Sequence, residues 1–383
     1  MKLIENIQIK NFGPLKSANI TLGDLTFLVG PQASGKSLFL ELLKLIIDRQ
    51  QILYTLDSYN YILKKNPDTL FNVYFGEGMA GVWNKNTSII KDGETIQKKY
   101  FLKETGSKWK EQMFYIPAQR ILSIVDGRPK GFGEFDFTTP YVLRYFSETL
   151  RRFMQGGLGE SKVIFPIKTR LKGAMKQQFD KTVFHGGKIV MDEYLGQKKM
   201  KMQIDGMEIP FMTWSAGQKE FMPLLLGIYC LSGPPTSIVK KENYQYIVIE
   251  EPEMGLHPQA IKSVLLQIIE LIHSGYRVII STHSSLPIEF TWAFNSLKES
   301  VGEGREDALC SLFDVDNNSS IRNIFKQIFS KSIHTYYFNS TNHEVTDITS
   351  LDVFSDNDII SEWGGLSEFA GRVSDVVSRF SYE

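Results

Sequence analysis

The octapeptide Gly30-Pro31-Gln32-Ala33-Ser34-Gly35-Lys36-Ser37 constrains this chain more than any other segment. It reads GxxxxGK[ST], a pattern in which each fixed position has its own physical task. Gly30 and Gly35 let main-chain N–H groups converge on an anion, and with Gln32, Ala33, Ser34 and Leu38 they form the cradle of a phosphate. Lys36 carries charge to the β and γ phosphates of a nucleotide, and the Ser37 hydroxyl can ligate Mg²⁺. Such a loop works between a strand and a helix, and the flanking residues supply both. Residues 3–9, 18–22 and 25–29 alternate as strands do, with Gly13, Pro14, Gly23 and Asp24 at the turns. Downstream, Leu38, Phe39, Leu42, Leu43 and Ile46 recur at helical spacing, which predicts a helix over 36–48.

With 383 residues, the chain can hold two domains or one large α/β core with an inserted lobe. Its 42% hydrophobic and 22% charged residues are ordinary globular values, and no run approaches the roughly 20 apolar residues of a membrane span. The alternating N-terminus has no apolar signal core, which implies no export. Two cysteines, Cys230 and Cys310, make neither a disulfide framework nor a zinc site, and a cytoplasmic location fits. Lys and Arg number 43 against 43 Asp and Glu, so no whole-chain attraction for nucleic acid exists. Charge is nevertheless segregated: residues 161–203 hold ten bases against three acids, and 340–383 hold nine acids against two Arg.

Three further motifs follow in order. Trp214-Ser215-Ala216-Gly217-Gln218-Lys219-Glu220 opens a predicted helix over 216–230, where Ser215 can cap the first turn and the helix N-terminus can face an anion. Residues 246–249 form an apolar strand that ends in Glu250-Glu251-Pro252. At the carboxyl edge of a parallel sheet, Glu250 would reach Mg²⁺ and Glu251 would orient or deprotonate the attacking water. A helix over 258–273 and a strand over 277–281 come next, ending in Ser281-Thr282-His283-Ser284, where the imidazole of His283 can sense a γ-phosphate.

The ordered series resembles an ABC-type ATPase head of the SMC, Rad50 and RecF group. Glu250-Glu251-Pro252-Glu253-Met254-Gly255-Leu256-His257-Pro258, with Ile9-Lys10-Asn11-Phe12-Gly13-Pro14 and Tyr115-Ile116-Pro117-Ala118-Gln119-Arg120, is similar to the OLD-like (AAA15/AAA21) branch. The resemblance implies a P-loop α/β fold that binds and hydrolyses ATP with Mg²⁺ between two protomers. Lys36, Glu251 and His283 would be catalytic; Gly30, Gln32, Ala33, Ser34, Gly35, Lys36, Ser37, Leu38 and the partner's Ser215, Gly217 and Gln218 would hold the nucleotide; Ser37 and Glu250 would hold the metal. Gln119 is read either as a further metal ligand or as a buried structural amide. His257 stands where many ABC proteins carry Asp, and Gly13 where Rad50-like heads carry a base.

The expected organisation is an ATPase core split between 1–130 and 206–295, an inserted α-rich, basic lobe at 131–205, and a small C-terminal α+β extension at 296–383. About 100 residues follow His283, too few for the Toprim nuclease of full OLD proteins, and no heptads link Ser37 to Ser215 as coiled-coil arms would. Asp314-Val315-Asp316 reads as a solvated turn. These features imply a homo-oligomer, at least a dimer, that regulates a separate nuclease or toxin effector in an anti-phage or mobile-element system. A RecF-like DNA-repair ATPase and an ATP-dependent scaffold are the alternatives. The bases at Lys162, Lys168, Arg170, Lys172, Lys176, Lys181, Lys188, Lys198, Lys199 and Lys201 fit nucleic-acid phosphates, a solvated face, or the acidic tail of a neighbouring protomer.

Overall fold

A computed structural model describes residues 3–103, 109–158, 162–167, 169–194, 196–299, 304–366, 371–373 and 376–378. Strands β1 (Asn6–Phe12), β2 (Leu15–Thr21) and β3 (Leu25–Val29) lead into α1 (Lys36–Ser58). After α2 (Pro67–Phe75), β4 (Trp83–Lys91) and β5 (Glu94–Ile96) join β1 and β2 in an antiparallel sheet of order β2-β1-β4-β5. Next come β6 (Met113–Ile116), the short hairpin β7 (Ile124–Val125) and β8 (Arg128–Pro129), and α3 (Tyr141–Arg152). The lobe contains β9 (Val163–Phe165), α4 (Gly173–Phe179), β10 (Lys188–Tyr194), β11 (Gln197–Ile204) and β12 (Met207–Pro210). The second half of the core follows as α5 (Ala216–Leu231), β13 (Tyr246–Glu250), α6 (Pro258–His273), β14 (Arg277–Thr282) and α7 (Leu286–Glu299). The chain closes with α8 (Arg305–Phe313), α9 (Ser319–Ile328), β15 (Ile333–Phe338), β16 (Val345–Asp347) and α10 (Asp358–Ser361).

The central sheet has the order β16-β15-β3-β14-β13-β6, parallel except for β16. Its strands are apolar on both faces because each face is covered. Alternation sends Ile247 and Ile249 to the core shared with α5 and α6, and Val248 to the core shared with α1 and the antiparallel sheet. Among the described residues, no helix is long and apolar enough to cross a membrane.

Two parts differ from the sequence reading. The lobe expected to be α-rich carries a four-stranded antiparallel sheet, β12-β11-β10-β9. Lys199-Met200-Lys201-Met202 alternates with a period of two, burying Met200 and Met202 and turning the lysines outward; a count of charges hides that alternation. The lobe is packed onto α5, with the Phe221 ring 4.9 Å from Phe179 and 5.7 Å from Phe184. The C-terminal segment is α+β, but its strands complete the core: β15 lies beside β3, pairing Ile333 with Leu25 and Tyr337 with Val29.

The first helix also runs past its expected end at 48. Asp48 is non-helical (φ −114°, ψ 23°), and its carboxylate accepts from the Gln112 N–H (2.8 Å) and the Met113 N–H (3.0 Å) while pairing with Lys44 at 2.8 Å. Lys44, itself buried, also donates to Glu111 (2.7 Å) and to the Met113 carbonyl (2.6 Å). The Tyr145 and Tyr244 hydroxyls donate to the other Glu111 oxygen at 3.1 and 3.0 Å. Removing the Asp48 carboxylate leaves the buried ammonium with Glu111 alone and strips the Gln112 and Met113 N–H groups of their acceptor. Asp48→Ala is therefore expected to cost about 3–5 kcal/mol, read as a lower urea midpoint, whereas Asp57→Ala on the exposed last turn should leave the midpoint unchanged.

Candidate functional site

Register places the site. Thr282 pairs with Val29, Ser281 with Glu250 and Ile249 with Ile116, so the segments after β3, β14, β13 and β6 emerge at one edge. After Val29 the backbone turns through positive φ at Gly30 (141°), Ala33 (58°) and Gly35 (98°). A Cβ on Gly30 would lie 2.4 Å from the Phe338 carbonyl oxygen, so glycine is required there by β15 as well as by φ. Gly35 precedes α1 without a side-chain cap, leaving the first-turn N–H groups directed at the loop. Lys36 lies within that loop, donating to the Gly30 and Pro31 carbonyls (2.8 Å each) and to Ser34 Oγ (3.3 Å). Leu38 contributes only backbone, since its side chain is buried, and Cδ2 would lie 2.7 Å from a Cβ on Gly13.

The two adjacent carboxylates meet different surroundings. Glu250 is buried, and burial pushes its carboxyl above the usual range against the pull of the Ser37 hydroxyl, the Ala118 N–H and the Tyr115 hydroxyl. Oε2 accepts from the Ala118 N–H at 3.2 Å, whereas Oε1 has no partner at hydrogen-bonding geometry among the described residues. The two hydroxyls are thus close enough to act electrostatically without being aligned to bond it. A buried, unpartnered carboxylate oxygen beside a serine hydroxyl fits a hard divalent cation such as Mg²⁺. Glu251 Oε1 accepts from His283 Nε2 at 3.0 Å, and that contact holds its carboxyl below the usual range, leaving a carboxylate able to accept a hydrogen bond from water. Its backbone is left-handed at φ 43°, an arrangement that costs about 1–2 kcal/mol for an L-residue.

Two side chains hold this turn that the motif reading passed over. Glu253 Oε1 accepts from Thr282 Oγ1 (2.8 Å) and the His283 N–H (2.7 Å), which fixes the loop bearing the imidazole. Arg120, fully buried, donates to the carbonyls of Glu250 (2.9 Å), Glu251 (3.1 Å) and Glu220 (3.2 Å). The segment Tyr115–Arg120 was noted only as a resemblance; main-chain acceptors have no sequence signature. Gln119 is exposed beside Ala118, which excludes the buried-amide reading.

Ser215 and Gln218 form a capping box: the Gln218 N–H donates to Ser215 Oγ (3.3 Å) and the Ser215 N–H to Gln218 Oε1 (3.2 Å). Gly217 packs on the loop after β13, where a Cβ would fall 2.6 Å from the Gly255 carbonyl oxygen. His257 caps α6, its Nδ1 accepting from the Gln259 N–H at 3.4 Å. Within the basic segment, Arg170 is buried and donates to the Gly157, Tyr229, Ser232 and Pro234 carbonyls. Lys172, Lys181, Lys199 and Lys201 face Glu270, Asp314, Asp126 and Asp192. Half of the ten bases are thus engaged within the chain, and Lys168 lies outside the described residues.

Burial draws the Lys36 ammonium down to about 8, against the carboxylates of Glu251, Glu253 and Glu250, which raise it. The free protein therefore holds a charged Lys36 below about 8 and a neutral one above, while phosphate favours the charged form. Affinity for a nucleoside triphosphate should be full at lower pH and fall as pH rises through about 8, by up to about tenfold per pH unit. Calorimetric titration from about pH 7 to about pH 9 checks this; an affinity flat over that span, or one falling equally in Lys36→Met, contradicts it.

The Old nuclease of Escherichia phage P2 is 23% identical over 354 residues, 77% of this chain, and the chain spans 58% of that protein's length. Among solved structures, an SMC head bound to the C-winged helix domain of ScpA gives a TM-score of 0.39 at 14% identity, covering 75% of this chain and 91% of that one. An SMC head domain from Thermotoga maritima gives 0.34 at 13%, covering 75% and 92%. A sequence model of the AAA ATPase domain matches residues 1–121 and 160–287, more than half of the chain and all four motif segments, and the chain belongs to that family of ATPases.

Proposed function

We propose that this ATPase works as composite sites between two copies of the chain. The carrying observation is where the Trp214–Glu220 motif lies: Ser215 and Ala216 are exposed at the start of α5, and among the described residues no hydrogen bond joins 215–218 to the loop 30–37. One copy would present Gly30–Ser37, Glu250, Glu251 and His283; the other would bring its α5 N-terminus, with Ser215, Gly217 and Gln218, to the γ-phosphate.

In this reading the loop N–H groups and Lys36 neutralise the triphosphate. Glu251 accepts the proton of the attacking water as its oxygen bonds the γ-phosphorus and the bond to the β–γ bridging oxygen breaks, leaving ADP and phosphate. His283 holds Glu251 and senses the departing phosphate. Ser37 and Glu250 would hold Mg²⁺, with Gln119 at the margin; the cation supplies charge to the phosphate oxygens. Residues 1–130 and 206–295 form the core in this assignment, with 131–205 as the lobe and 296–383 as the C-terminal segment. Lys36→Ala and Ser215→Arg disable opposite halves of a composite site. Each variant alone should be inactive, and mixing the two should restore turnover through the one intact site of the mixed dimer; no recovery would rule the composite site out.

ATP-driven association would, in the cytoplasm of a prokaryote, regulate a separate effector of an anti-phage or mobile-element system. Likeness to a phage protein named as a nuclease supports this. Glu251→Gln with ATP, purified from the native host, should retain a nuclease or toxin chain that is lost without ATP, as native mass spectrometry would show. A bare homo-oligomer in both conditions would overturn the proposal.

A further inference from the structure

The Glu251 turn and the first turns of α5 are built as one body, and Arg120 joins them. Its guanidinium spends three N–H donors on three main-chain carbonyls, two of them consecutive at the end of β13 and the third in α5. The pair at Glu250 and Glu251 fixes two successive peptide planes, and the Glu251 N–H is held in turn by the Ser281 carbonyl at 2.9 Å. With both sides of the residue tied, the left-handed backbone of Glu251 has one orientation available, the one that sets its carboxylate 3.0 Å from His283 Nε2. On the α5 side, Pro223 lacks the N–H that would donate to the Lys219 carbonyl, one residue before the Glu220 carbonyl that Arg120 reaches. Gly217, in contact with the Gly255 carbonyl, makes a second tie between α5 and the loop after β13.

We infer that Arg120 is a positioning residue that couples α5 to the water-activating carboxylate of the same chain, so that seating Ser215–Gln218 on a partner's nucleotide aligns Glu251 for its own. This rests on the composite-site reading. Lysine at 120 keeps the charge but cannot span three carbonyls in a plane. It should leave the Glu251 turn free to adopt other orientations while the loop 30–37 is untouched.

The test is Arg120→Lys with ATP affinity, kcat and thermal midpoint measured on one preparation. We expect affinity within about twofold of the unsubstituted protein and kcat lower by on the order of 100-fold, the scale of a displaced general base. Unchanged kcat, or affinity and kcat falling together, would overturn the inference. Glu251→Gln separates the two levels. If it turns over normally, Glu251 is not the base and the proposed mechanism has failed, whereas the composite site itself stands or falls on mixing Lys36→Ala with Ser215→Arg. If it is inactive while Arg120→Lys is fully active, only the role of Arg120 has failed. Should Arg120→Lys not fold, hydrogen exchange on Glu251→Gln decides. ATP should protect the amides of 216–222 and of 249–254 together; protection of one segment without the other counts against the coupling.

Discussion

Parallel register is the constraint from which the rest of this molecule follows. In a parallel sheet every strand ends on the same edge, and pairing Glu250 with Ser281 and Thr282 with Val29 levels those ends to within a residue. A phosphate loop, two carboxylates and a histidine far apart in sequence thereby converge without any one segment reaching for another. The covering helices fill both faces with aliphatic side chains, which makes the register stiff: a slip of one residue would exchange Val248 for Ile247 and Ile249 between the two cores.

At that edge the chain keeps charge in places that do not favour it. Glu250, Lys36 and Arg120 are all buried, and an isolated ion there costs several kcal/mol. Arg120 meets the cost with three carbonyl hydrogen bonds, each worth about 1.5–3 kcal/mol to a charged donor, and with four carboxylates nearby, at Glu220, Glu253, Glu251 and Glu250. Among the described residues, one Glu250 oxygen has no partner, and Lys36 donates to three neutral acceptors. Of the three, only the group assigned to the cation keeps a polar atom without a partner among the described residues.

Legibility in the sequence tracked how local each determinant was. The phosphate loop, the capping box at Ser215 and the ends of α6 were readable because spacing within a few residues specifies them. The continuation of α1 beyond Asp48 is not legible locally, since Asp48 is held by the N–H groups of Gln112 and Met113, outside any local window. Strands β10 and β11 were hidden in a lysine-rich tract, since their apolar face is two methionines and an isoleucine set between charges. Arg120 sat inside a recognised segment, yet its partners are backbone atoms, identical in every residue type. Joining β15 to β3 is a choice of topology, on which the composition of Ile333–Phe338 is silent.

That last pairing bears on how the protein comes to be made. The strand preceding the phosphate loop, β3, has only β14 and β15 as neighbours, and both leave the ribosome long after Val29. Until Arg277 and then Ile333 emerge, Leu25–Val29 has unpaired backbone N–H and C=O groups on each edge and neither of its sheet partners. Contacts of such sequence separation form slowly and leave nascent strands open to wrong partners. Phe338 then closes against Gly30, so the phosphate cradle takes a wall from a strand synthesised long after the loop itself. The cradle is thus separated from completion of its wall by the whole stretch of chain between Gly30 and Phe338.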